Sequence, residues 1–278
     1  MDTTDTTDSP SPAALPTFLD VTAAIPALAG DGWRDGLRRT VESALGIRRS
    51  RQVFLDASLQ PDPAEAVVAG FGLELDAAGV VDAIPASGGA IVVANHPFGG
   101  ADALSLIALC LRRRRDFTIL ANEMAAAAPG VGRWFLPLSI LGDRDAARKN
   151  AGTLRAALDH LRAGGLLAVF PAGEVSTWRA AGNAVADGPW STHVAALARK
   201  AGVPVVPVRF FGENPPWFHL LGALHPLIRT ALLPHVLLSM RGRRVVCRAG
   251  SPITPADLAG AENATAALRD GMESVPLP

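Results

Sequence analysis

Ile91-Val92-Val93-Ala94-Asn95-His96-Pro97-Phe98-Gly99-Gly100-Ala101-Asp102 is the stretch whose reading decides the fold. Residues 91–94 are a short apolar run of the kind that forms a strand buried on both faces. Residues 95–100 carry one Pro and two Gly, the residues of a tight turn. From Ala101 the apolar positions recur at helical spacing through Leu104, Leu106, Ile107 and Leu111. Strand, turn and helix in quick succession are the building unit of an α/β sheet, where ligands and catalytic groups collect outside the C-terminal ends of the strands. His96 stands at that point.

Asp102 lies six residues further on, in the first turn of the helix, close enough to fold back on the imidazole. A carboxylate on one ring nitrogen fixes the tautomer and raises the basicity of the other, which prepares a histidine as a general base. Gly99 and Gly100 let a backbone approach a substrate and leave N–H groups open at a helix start. Working outward, residues 166–170 form a second short apolar run, leading into Pro171-Ala172-Gly173-Glu174-Val175-Ser176. A third, 203–211, contains Pro204 and Pro207.

Strand-like and helical patterns alternate from about residue 70. Strands are expected at 70–75, 90–95, 116–121, 166–170, 203–210 and 243–249, and helices at 101–114, 145–163, 189–201 and 256–272. Gly164-Gly165 stops one helix, and Thr254-Pro255 starts another. The expected fold is therefore α/β, a mainly parallel sheet flanked by helices, occupying 69–278 as one domain. Residues 13–68 read as an N-terminal helical segment and 1–12, acidic and rich in Thr, Ser and Pro, as a disordered tail. Trp33, Leu37, Val41 and Leu45 recur every four residues among Arg34, Arg38, Arg39, Arg48, Arg49 and Arg51. Such a basic amphipathic helix suits an anionic bilayer surface, or equally a domain surface with its arginines in water.

The order of the motifs, Asn-His-Pro…Asp after one strand, Phe-Pro-x-Gly after another, then Val-Pro-Val-Val-Pro-Val, resembles the glycerolipid and lysophospholipid acyltransferase superfamily. Within it, Asn-His-Pro-Phe-Gly-Gly and Phe-Pro-Ala-Gly-Glu-Val-Ser are most similar to the bacterial subgroup that acylates ornithine and other amino-acid lipids. The similarity runs from about Ala90 to Pro252. It implies a glycerolipid acyltransferase fold in which His96 removes a proton from an acceptor hydroxyl or amine, which then attacks an acyl thioester. Asp102 would hold the ring and stabilise the imidazolium. The donor would be acyl-ACP or acyl-CoA and the acceptor a lyso-lipid, with no metal and no cofactor. Asn95, Gly99, Gly100, Gly173, Glu174 and Ser176 would contact substrate, and Asn122, just after its strand, can face the same crevice or serve as a plain turn residue.

Three departures from the family pattern matter. Five residues separate His96 from Asp102 where four are usual, the extra glycine being typical of the amino-lipid subgroup. Ala172 and Val175 replace the Glu and Arg of the usual Phe-Pro-Glu-Gly-Thr-Arg-Ser, so the clamp for an acceptor phosphate is at least partly missing. Glu174 suits the ammonium of an amino-acid headgroup, while Arg144 and Arg179 are candidates to restore phosphate binding. The expected activity is transfer to a lyso-amino-acid lipid, with lysophosphatidate as the alternative acceptor. A thioesterase or lipase-like hydrolase, in which His96 activates water, is the rival class; the pairing of His96 with Asp102 argues against a non-catalytic lipid scaffold.

Composition narrows the rest. Lys+Arg and Asp+Glu are balanced at 26 each, which offers no argument for nucleic acid. Cys110 and Cys247 are too few for a disulfide scaffold and read as buried, reduced thiols of a cytosolic protein. No run reaches the ~18 apolar residues of a membrane span; the nearest, 218–238, is broken by Pro226, Arg229 and Pro234. With no signal peptide, the expectation is a cytoplasmic protein, peripheral to the inner face of the cell membrane. The run Arg112, Arg113, Arg114 and Arg115 suits a helix C-terminus, and either sits in solvent or touches anionic lipid or an acidic carrier. Trp217, Phe218, Leu220, Leu221 and Leu224 can wall an acyl tunnel, dip into a membrane or pack in the core. His160, His193, His219, His225 and His235 show no metal-ligand spacing. Ser176 lacks the Gly-x-Ser-x-Gly elbow of a nucleophile, and no dinucleotide or P-loop glycine pattern follows a strand.

Overall fold

The computed structural model describes residues 19, 21–24, 26–139, 146–179, 182–224 and 226–278. The expected tail at 1–12, Arg144 and His225 lie outside them, and Leu224 is described only as helix backbone. The strands are β1 (Glu74–Asp76), β2 (Ala90–Ala94), β3 (Phe117–Asn122), β4 (Phe135–Leu138), β5 (Leu166–Val169), β6 (Thr177–Arg179), β7 (Ala184–Ala186), β8 (Val205–Phe211) and β9 (Arg244–Ala249). Seven form one sheet in the order β1-β9-β8-β2-β5-β3-β4, and β6 with β7 makes a separate antiparallel hairpin. All pairings in the large sheet are parallel except β8 with β9. The mainly parallel α/β sheet read from the sequence is the fold.

β2 lies between β5 and β8, with Val92 opposite Ala168 on one side and Val206 on the other. All five β2 residues are buried. Side chains alternate across a strand, so Val92 and Ala94 join a core with Leu106, Phe71 and Phe54, while Ile91 and Val93 join another with Leu167, Val194 and Leu197. Covering both faces leaves only the strand ends open. Because β2 and β5 are parallel and in register, the turns that follow them emerge at the same edge.

Several boundaries differ from the pattern-based ones. Residues 70 and 71 end the helix Pro63–Phe71, because Phe71 packs fully buried in the core and Gly72 caps the helix in the left-handed conformation. The 68/69 boundary thus falls inside a helix that shares the core of the sheet. β4 and the β6–β7 hairpin were not expected. The last helical stretch is two helices, Pro255–Gly260 and Ala264–Glu273, because the Asn263 side chain accepts the Ala266 N–H and starts the second. The helix read from 189 begins at Thr192. The 217–224 cluster lies on the helix Pro216–Leu224, paired with the helix Pro226–Ser239. The cluster divides: Phe218 is fully buried, whereas Trp217, Leu220 and Leu221 are exposed.

The helices Trp33–Ala44 and Ile47–Ser58 occupy the expected N-terminal segment. Val41 and Leu45 pack inward against Val21, Leu28 and Ile47, but Trp33 and Leu37 are exposed. The four-residue apolar period therefore continues beyond what the domain covers. Cys110 and Cys247 are buried free thiols, and burial pushes both upward.

Each arginine of the run at 112–115 has an intramolecular partner, although Arg112 and Arg115 stay exposed at the surface. Arg112 forms a two-pronged pair with Glu65 at 2.5 and 2.8 Å, Arg113 donates to the Ile84 carbonyl at 2.8 Å, and Arg115 pairs with Asp62 at 3.2 Å. Arg114 is buried; it pairs with Asp116 and donates to the carbonyls of Gly88, at 2.7 Å, and Gly164. Arg114→Ala would remove the buried guanidinium that ties these segments together and is expected to destabilise the fold by about 1–3 kcal/mol, read as a lower urea midpoint. Asp116 is held below the usual carboxylate range by its hydrogen bond to Arg114, against the opposing effect of burial. A carboxylate depressed in the folded state contributes stability above its unfolded pKa and loses it as pH falls through the folded one. The gap between wild type and variant should hold at neutral pH and narrow only in acid.

Candidate active site

β2 delivers His96 to the C-terminal edge of the sheet, and the turn after it is organised around one buried carboxylate. Asp102 is fully buried. Its Oδ2 accepts the N–H groups of Phe98 at 2.8 Å and Gly99 at 3.3 Å, and its Oδ1 accepts that of Ala103 at 2.8 Å. The same Oδ1 lies 3.1 Å from His96 Nδ1, although the approach is too oblique to count as a formed hydrogen bond. The ring is stacked on Phe170, with centroids 4.0 Å apart and planes 26° from parallel. His96 retains 16% side-chain exposure. An imidazole turned this way by Asp102 can take up a proton at Nε2.

The two sequence motifs meet here, because β5 leads straight from Val169 into Phe170. The His96 carbonyl accepts the Ser176 N–H at 2.8 Å. Val175 is buried against Phe218, Leu232 and Val236, apolar residues on the pair of helices that follows β8. Gly99, at φ +81°, is required by this packing: a Cβ there would lie 2.6 Å from Leu233 and 2.9 Å from Val175.

The residues expected to touch substrate fare differently. Asn95 spends both ends of its amide on the Phe210 backbone, at 2.9 and 2.7 Å, tying the end of β2 to β8. The N–H groups of Gly99 and Gly100 go to Asp102 and the Phe98 carbonyl, so the open cradle expected there is closed by the turn itself. Asn122 caps the short helix Glu123–Ala126 by accepting the Ala125 N–H at 2.9 Å, the role of a turn residue. Gly173, at φ +68°, has open space on its Cβ side. Ser176 is buried and donates its hydroxyl to Asp187 at 2.5 Å.

Glu174 changes most. Its Oε1 accepts from Arg179 at 2.7 Å and its Oε2 from Arg229 at 3.0 Å. Burial pushes the Glu174 carboxyl up, and the two guanidinium hydrogen bonds more than reverse this, holding it below the ordinary range. Instead of an isolated anion awaiting an ammonium, the site has one carboxylate flanked by two cations. Gly188 backs this group so closely that a Cβ would lie 2.7 Å from Glu174 and 2.8 Å from Arg179.

Pattern reading missed Arg229, Asp187 and the stacking role of Phe170. Phe170 stands in a quoted motif and was within reach; Arg229 and Asp187 lie in stretches with no motif, and only the fold brings them in. A cleft of about 450 Å³ flanks the same turn, lined in part by Asn95, Pro97, Ser176, Asp187, Arg209 and Phe211.

A histidine beside a buried carboxylate at a strand end of a mainly parallel α/β sheet is an arrangement that can move a proton during group transfer or hydrolysis. Residues 80–210, which span both motifs, match the sequence model of the family described as Acyltransferase, and the protein is an acyltransferase. Among solved structures, the chain is similar to the 1-acyl-sn-glycerophosphate (LPA) acyltransferase PlsC from Thermotoga maritima. The two are 19% identical, the match covering 93% of this chain and 92% of that one, with a TM-score of 0.48. No curated protein matches the chain.

Proposed function

We propose that the protein moves a fatty acyl group from an acyl thioester, carried on acyl carrier protein or coenzyme A, to the hydroxyl of a lyso-lipid. The observation that carries this reading is the 3.1 Å approach of His96 Nδ1 to the fully buried Asp102, inside the family-matched segment. With Nδ1 directed at the carboxylate, Nε2 takes the proton of the acceptor hydroxyl as its oxygen attacks the thioester carbonyl carbon. The C–S bond then breaks, and the imidazolium returns the proton to the departing thiolate. Asp102 holds the ring in the useful tautomer and offsets the transient positive charge.

The acceptor we assign first is a lyso-amino-acid lipid. Val175 stands where the general family has an arginine, and the Glu174–Arg179–Arg229 group offers both charge signs to a headgroup with a carboxylate and an amine. Lysophosphatidate is the second reading, favoured by those same two guanidiniums, whose planar forks suit a phosphate. Contact with the bilayer we assign to the helices Trp33–Ala44 and Pro216–Leu224, where Trp33 is 74% and Leu220 71% exposed. Arginines on the first of these helices add attraction to anionic lipid. Among the described residues no helix is long and apolar enough to cross a membrane.

One experiment tests these assignments together. Purified protein is given coenzyme A and acyl-carrier-protein thioesters, with lyso-ornithine lipid or lysophosphatidate held in neutral or anionic vesicles. Products are identified by mass and bound protein by flotation. Higher kcat/KM on lyso-ornithine lipid is expected, and a clear preference for lysophosphatidate overturns the first assignment. Arg229→Ala should lower kcat/KM on lysophosphatidate about tenfold to a hundredfold, the worth of one charge-assisted contact of about 1.5–3 kcal/mol. Thioester loss that needs no acceptor would make the protein a hydrolase. Equal flotation with neutral and anionic vesicles, or none with either, overturns the membrane assignment.

A further inference from the structure

We propose that Asp187 is a positioning residue for His96, acting through the main chain of the turn that carries the imidazole. The inference rests on the reading of His96 as the base. Asp102 and Phe170 orient the ring, but the position of the ring also depends on the His96 backbone. Both polar groups of that backbone end on a different part of the chain. The His96 N–H donates to Asp187 Oδ1 at 3.1 Å, and the His96 carbonyl accepts the Ser176 N–H at 2.8 Å. Asp187 then links the two contacts, because Oδ1 also accepts the Ser176 hydroxyl at 2.5 Å. Its Oδ2 accepts the Trp190 indole N–H at 3.0 Å.

Asp187 is only 7% exposed, and these three partners are neutral donors. A buried carboxylate is costly to keep, and here three donors converge on it, two from other segments and one from Trp190, three residues along its own. The segment that carries it is itself strapped down: Ser191 N–H donates to the Pro171 carbonyl at 2.9 Å, and Gly188 is wedged behind Glu174 and Arg179. Asp187 is thus a fixed peg on which the His96 turn hangs. Removing it leaves the His96 N–H without its acceptor and the turn free to shift. A displacement of about 1 Å at a reacting group can cost about a hundredfold in rate.

The test uses the full chain and four variants, assayed below their unfolding temperatures with folded fraction checked by circular dichroism. Asp187→Ala should lower kcat about tenfold to a hundredfold while KM for donor and acceptor stays within about twofold. A residue that only stabilised the fold would reduce the amount of folded enzyme and leave kcat per folded molecule unchanged. Asp187→Asn keeps one oxygen for His96 and Ser176 but turns an NH₂ toward the Trp190 indole N–H, two donors face to face. Adding Trp190→Phe removes that conflict, so the double variant should recover kcat to within about threefold of wild type. The proposal is overturned if Asp187→Ala keeps wild-type kcat, if the loss lies in KM alone, or if the double variant stays as slow as Asp187→Ala. His96→Ala in the same assay separates the two levels. Full activity there sinks the catalytic reading itself, whereas an inactive His96→Ala beside a normal Asp187→Ala sinks only the role of Asp187.

Discussion

His96→Ala is expected to reduce acyl transfer by about two to four orders of magnitude, the usual worth of a positioned general base. The loss should appear in kcat, because the role proposed for the imidazole is to carry the proton and not to hold either substrate. The fold should survive. The His96 side chain is partly exposed, and its removal gives up one stacking contact with Phe170, worth about 0.5–1.5 kcal/mol. The turn itself is held by the Asp102 carboxylate and by backbone contacts that alanine retains. Steady-state transfer with product mass as readout, alongside a thermal melt, checks both statements. Near-normal turnover of the true substrate pair would show that another group removes the proton.

Asp102→Asn should be nearly as damaging to rate and worse for stability. The carboxylate is all acceptor: it takes the N–H groups of Phe98, Gly99 and Ala103, and its Oδ1 lies 3.1 Å from His96 Nδ1. An asparagine has one oxygen to offer. With that oxygen kept on Phe98 and Gly99, its NH₂ faces the Ala103 N–H and His96 Nδ1 together. The imidazole is then driven to present Nδ1 as acceptor and carry its proton on Nε2, the wrong tautomer for a base. A loss of about a thousandfold or more in kcat is expected on this ground. Stability should fall by about 1–3 kcal/mol, since at least one buried N–H loses its partner. Wild-type rates in Asp102→Asn would mean that the carboxylate serves the turn and not the histidine.

These two residues were legible because their relation is local. Once 91–94 is read as a strand and 101 onward as a helix, the intervening turn has little freedom, and a first-turn carboxylate returns to the residue at the strand end. The alternation of apolar runs also foretold the mainly parallel sheet. Elements without such a pattern escaped: β4 is a four-residue edge strand containing Pro137, and Pro216, Pro226 and Pro234 disguised two consecutive helices as broken chain. Helices tolerate proline in the first turn, which is where Pro216 and Pro226 stand; Pro234 is the exception, lying inside the second helix.

The chemistry around Glu174 shows the limit from the other side. The motif placed it at the strand end after β5, but its charge environment was not read from the sequence. Two arginines bind it, one five residues away and one fifty-five. The sequence by itself determined the strand–turn–helix unit, the pairing of His96 with Asp102 and the layered α/β plan, because backbone propensity and apolar period act over a few residues. Only the tertiary structure decided that Arg229 faces Glu174 and that Asp187, ninety-one positions on, receives the His96 N–H. Contacts of that span exist only after the parallel register of β2, β5 and β8 brings their C-terminal ends to one edge, and no local pattern encodes which distant side chain arrives there.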